Sequence, residues 1–71
     1  MNSNERFEIL SDVEWSIRRA KELHETTMLD LQKAIAQNDR SSEGYLRGKE
    51  CGIDSILVHL EMLQKTIKAG V

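Results

Sequence analysis

Apolar residues recur at alternating intervals of three and four through two stretches of this chain. In the first, Leu10, Val13, Ile17, Ala20, His24, Thr27, Leu31 and Ala34 keep the rhythm. In the second, Leu46, Lys49, Ile53, Ile56, Leu60, Leu63 and Ile67 do the same. A period near 3.5 is that of an α-helix presenting one seam to a partner helix. Phe7, Met28, Ile35 and Leu57 lie beside the seams and widen the apolar stripe, as a bundle helix needs. Between the stretches stands the polar cluster Gln37-Asn38-Asp39-Arg40-Ser41-Ser42, a loop composition.

Capping residues agree with this division. Asn2, Ser3 or Asn4 can start the first helix, and Asn2 with Glu5 has the spacing of a capping box. Asp39, Ser41 or Ser42 can start the second, with Glu43 in its first turn. Lys65 and Lys68 suit a helix C-terminus, and Gly70 suits the stop after it. The pattern predicts helices over about 4–37 and 42–69, joined as an antiparallel hairpin in a single domain spanning 1–71. Pairing across the loop sets position i near position 80 minus i. On that register Gly52 faces Met28 and Leu29, Gly48 faces Gln32, and Gly44 faces Ala36.

Two helices leave the flanks of both seams wet, and a chain of 71 residues is short for an enclosed core. The expectation is therefore all-α and self-associating: a homo-oligomer, dimer or higher, with two hairpins making a four-helix bundle. Composition narrows the class further. Charged residues at 31% and apolar residues at 39% exclude a disordered tail. Apolar runs such as Ile56-Leu57-Val58 are far short of the roughly 20 residues that cross a bilayer, so no membrane role is expected. Glu5 and Glu8 with no apolar core segment is the pattern of a chain without a signal peptide. The single Cys51 fits a reducing compartment, and the expected location is the cytoplasm. A net charge of −2 argues against general electrostatic binding to nucleic acid.

Candidate chemistry concentrates in two places. Trp15 falls opposite the seam of the first helix, with Leu29 on the same face two heptads on and Arg18, Arg19 and Glu22 around it. Large apolar residues are normally buried, so a tryptophan on an outer face calls for a partner. Three readings stay open: packing against another hairpin, a protein-binding surface, or stacking on a base beside arginines. The second place is the segment GYLRGKECG, in which Gly44, Gly48 and Gly52 fall four apart. Helical glycine costs about 1 kcal/mol relative to Ala, so the series predicts close approach by a helix or a ligand. With Arg40, Arg47 and Lys49 nearby, the loop end is a candidate anion or nucleotide site comprising Arg40, Gly44, Arg47, Gly48 and Lys49.

Catalytic and metal chemistry find little footing. His24 sits in the seam and His59 beside the other, Cys51 points outward, and no Glu-x-x-His pair exists: Lys21 and Ile56 stand three residues before the histidines. Glu50, Asp54 and Glu61 fall at outer or flanking positions with no apolar pocket around them. The expectation is no enzyme, no cofactor and no metal.

The segment Tyr45-Leu46-Arg47-Gly48-Lys49, followed by Gly52-Ile53 and Leu60-Glu61, resembles the second helix of small phage-encoded helical-hairpin proteins. The resemblance covers about 20 residues. It implies a phage or prophage setting, helical oligomers, and roles such as virion accessory or modulator of a host protein. Phage sponges for cyclic nucleotides are also built from helical hairpins, and the glycines and basic residues near the loop suit that role. The leading expectation is a non-enzymatic oligomer that binds another protein through Trp15, Arg18, Arg19, Glu22 and Leu29. Its alternatives are a nucleotide- or nucleic-acid-binding hairpin using the loop end, and a structural virion protein.

Overall fold

A computed structural model describes residues 2–70. Two helices, α1 (Ser3–Ala36) and α2 (Arg40–Lys68), pack against each other over their full length. The result is a rod of 53 × 14 × 12 Å. Among the described residues no helix is long and apolar enough to cross a membrane.

The ends are set by side chains. Asn2 caps α1: its Oδ1 accepts from the Glu5 backbone N–H at 2.8 Å, and its Nδ2 donates to Glu5 Oε1 at 3.2 Å. Asp39 caps α2, and that places the start at Arg40 rather than at 42. One Asp39 oxygen accepts from the Ser42 backbone N–H at 3.2 Å and the other from the Ser42 hydroxyl at 2.7 Å. The hydroxyl bond foremost, and the backbone bond with it, hold the Asp39 carboxyl below its ordinary value of 3.8, because both favour the charged form. The connection is only 37–39, half the polar cluster. Asn38 adopts φ 55, the left-handed region that Asn tolerates best after Gly. Its N–H donates to Ile35 O at 3.1 Å and the Asp39 N–H donates to Ala34 O at 2.9 Å, the two bonds of a Schellman close. Gly70, at φ 82, ends α2 in the same way, with its N–H on Ile67 O at 3.2 Å.

The α1 seam is the expected one. Val13, Ile17, Ala20, Thr27, Leu31 and Ala34 are buried, and Leu10 and His24 half-buried. The α2 seam is not. Leu46, Ile53, Leu60 and Ile67 face inward as expected, but the positions between them are Glu50, Leu57 and Gln64. Lys49, Ile56 and Leu63, the residues the apolar pattern placed in the seam, are exposed. The shift is by one residue, about 100° around the helix. It follows from what α1 offers at mid-rod and near the open end. His24 Nε2 lies 3.0 Å from Glu50 Oε1, and Gln64 lies 3.5 Å from Glu14. Polar groups half out of water need partners, and these positions supply them.

The core is consequently in two pieces. Val13, Ile17 and Ile67 form a cluster with Leu10, Leu57 and Leu60 toward the termini. Leu31, Ala34 and Leu46 form another with Met28 toward the loop. Between them lie the His24–Glu50 pair and Thr27, which is 1% exposed and whose hydroxyl donates back to Leu23 O at 2.7 Å. Arg6 closes the open end. Its Nε donates to Ile67 O at 3.0 Å, an oxygen that also accepts from the Gly70 N–H, and its Nη2 to Lys68 O at 3.1 Å, beyond which α2 makes no further turn.

Candidate functional site

Trp15 stands on the outer side of α1, opposite Val13 and Ile17, and is 61% exposed. Leu29 lies on the same outer line and is 55% exposed. Their positions follow from the seam: once positions 13, 17, 27 and 31 face α2, positions 15 and 29 can only face away. Arg18, Arg19 and Glu22 are exposed with them. Arg19 Nη1 donates to Glu22 Oε2 at 3.2 Å, one turn along the helix. Among the described residues Arg18 makes no ion pair. The five residues thus share one exposed side of α1.

The loop-end residues are differently placed. Arg40, Gly44, Arg47, Gly48 and Lys49 are all exposed. Two of the donors an anion would use there already have acceptors. Arg47 is held by Glu43, its Nε at 3.2 Å and its Nη2 at 2.9 Å from Glu43 Oε1. The Ser42 backbone N–H, in the first turn of α2, donates to the Asp39 carboxylate, whose negative charge stands where a ligand anion would sit.

The glycine series does not mark a tight contact inside the hairpin. A Cβ built on Gly44, Gly48 or Gly52 meets nothing within 4 Å. The expected packing of Gly52 on Met28 and Leu29, Gly48 on Gln32 and Gly44 on Ala36 is therefore wrong. All three glycines are on the solvent side of α2, because the seam runs through 46, 50 and 53. Glu50, placed at an outer or flanking position by the apolar pattern, is instead the inward partner of His24.

Two features escaped the sequence pattern. One is Arg6, whose contact to α2 spans 61 residues of chain and has no local signature. The other is the pair His24–Glu50, for which a histidine in one seam and an acidic residue in the opposing helix was a usable signal. Among the described residues no three His, Cys, Asp or Glu side chains gather as a metal site would need. The open depression beside Ser3, Arg6, Phe7 and Leu10 is lined by two polar and two apolar side chains, with Arg6 as its one charged group. Cys51 is free and exposed on α2. No family model matches the chain, and neither does any curated protein or solved structure.

Proposed function

We propose that this chain is a non-enzymatic, self-associating helical hairpin that works by binding another protein. The observation that carries the reading is Trp15. A tryptophan 61% exposed on the outer side of a helix, flanked by two arginines and followed by an exposed leucine, has the composition of an interface anchor. Burial of such a side chain against a partner recovers the apolar area that the hairpin leaves in water.

The resemblance of the segment 45–61 to small phage-encoded hairpin proteins extends the reading. The partner is then a host protein and the place of action the host cytoplasm. Nucleotide binding at the loop end ranks second, since Glu43 already holds Arg47 and Asp39 already holds the Ser42 N–H.

The test is Trp15→Ala. Removal of an anchor weakens a complex by about 2 kcal/mol or more, roughly thirtyfold. Recovery of partner from host lysate should be lost while subunit number by light scattering stays the same. A change in subunit number would make Trp15 an assembly residue, and unchanged recovery would clear the face of any role.

A further inference from the structure

The outer surface of α2 differs from that of α1 in one respect that bears on self-association. Along α2 the line farthest from α1 runs through Tyr45, Gly48, Gly52, Ser55, His59 and Met62, spaced three and four apart and all exposed. It carries no Asp, Glu, Lys or Arg. The corresponding line of α1 carries Glu5, Glu8, Asp12, Arg19, Glu22 and Lys33. Tyr45 is 70% and Met62 61% exposed, and Ile56, Val58 and Leu63 beside the line are exposed as well. Large apolar side chains at the ends of the line and glycines with open space before them near its middle make a surface shaped for another helix.

The surface area is large enough to leave room for a partner. A compact monomer of 8.1 kDa exposes about 4,500 Å². This chain exposes 5463 Å². The excess of roughly 1,000 Å² matches the ~800 Å² per partner that a specific interface of standard size buries. The shape agrees: the radius of gyration is 16.1 Å, against about 11 Å for a compact chain of this length.

We propose that the outer face of α2 is the dimer interface of this chain, with α2 packed antiparallel on α2 of a second copy about a two-fold axis beside Gly52 and Ser55. The proposal rests on the self-association in the reading above and names its surface. In this register Ser55 of one copy lies opposite Gly52 of the other, His59 opposite Gly48, and Met62 opposite Tyr45. Small residues meet at the axis, His59 meets Gly48 on either side of it, Met62 meets Tyr45 at the ends, and the contact closes on itself as a two-fold interface must. Gly48 and Gly52 let the two backbones approach where a side chain would hold them apart. Charge selects the direction. The first turn of α2 carries Glu43 and the last carries Lys65 and Lys68. Antiparallel helices oppose their dipoles and keep Lys65 and Lys68 of the two copies apart, whereas parallel ones would set both lysines beside their own copies.

Sedimentation equilibrium of the full chain and of Ser55→Glu tests the surface. Ser55 faces solvent at the centre of the line, so the substitution leaves the hairpin seam untouched. The wild type should be a dimer at micromolar concentration. Ser55→Glu should dissociate at least a hundredfold more readily, because it puts two like charges at the axis. Ser55→Ala should stay dimeric. Direction is tested separately, in a Cys51→Ser background, by oxidising a mixture of Tyr45→Cys and Met62→Cys chains. The antiparallel register predicts mixed disulfides in excess over the two homodisulfides, even if separated monomers melt. A Ser55→Glu chain as tightly associated as the wild type, or a predominance of homodisulfides, overturns this interface and leaves self-association through another face standing. A monomeric wild type overturns both readings, while partner recovery through Trp15 is judged on its own.

Discussion

Replacing Gly48 and Gly52 by alanine separates the stability of the hairpin from that of its assembly. Both glycines lie inside α2, and a Cβ at either meets nothing within 4 Å. Within one hairpin only helix propensity changes, and it favours Ala over Gly by about 1 kcal/mol at each site. The double substitution should therefore stabilise the hairpin by about 2 kcal/mol. Unfolding entropy near 2.1 cal/mol/K per residue gives about 150 cal/mol/K for 71 residues, so the melting temperature should rise by about 13 °C. The clean measurement is circular dichroism in the Ser55→Glu background, where the proposed α2–α2 contact is broken. In the otherwise wild-type chain the new methyl groups stand in that contact, and the gain should shrink or reverse as the helices are forced apart. A double alanine variant that melts no higher in the Ser55→Glu background refutes the placement of these glycines on the free side of α2. An equal gain in both backgrounds keeps that placement and counts against the α2–α2 interface.

Other expectations follow from single contacts. Arg6→Ala removes two charge-assisted bonds to the last carbonyls of α2, at a half-buried site, and should cost about 1–2 kcal/mol in urea unfolding, with amide exchange accelerated in the last turn. Glu50→Leu leaves His24 without its partner at a half-buried position and should destabilise the hairpin by about 1 kcal/mol. Pairing it with His24→Leu should restore that loss, because two apolar residues of similar volume fill the gap between the two core clusters; a double variant no more stable than the single would refute the account. Asp39 has its carboxyl held below 3.8 by Ser42, so its cap stabilises the fold above the unfolded value and that contribution is lost as pH falls through the lower, folded value. Thermal melts below pH 4 should therefore show a shallower decline for Asp39→Asn than for the wild type, since Asn caps as well and does not titrate.

The two helices, the turn between them and three of their four ends were legible in the sequence, since each is encoded within a few residues. Asn2 with Glu5, the polar run at 37–42 and Gly70 act on their own neighbours, and the seam of α1 alternates without interruption from Leu10 to Ala34. The seam of α2 was not legible, because its apolar residues offer two interleaved sets that share Leu46, Ile53, Leu60 and Ile67. Hydrophobicity prefers Ile56 and Leu63 as the intervening members. The folded hairpin takes Glu50, Leu57 and Gln64, because His24 and Glu14 on α1 then have polar partners in reach. That rotation turns Ile56, Leu63 and the glycines outward, and with them the face on which the assembly proposal stands. Trp15 and Leu29 were legible as outer residues because α1 has only one apolar phase. Arg6, bound to carbonyls more than 60 residues away, was not legible. Local rules carry information over a helical turn or two, and the choice between two nearly equal phases is made by the opposing helix, which only the tertiary structure brings into contact.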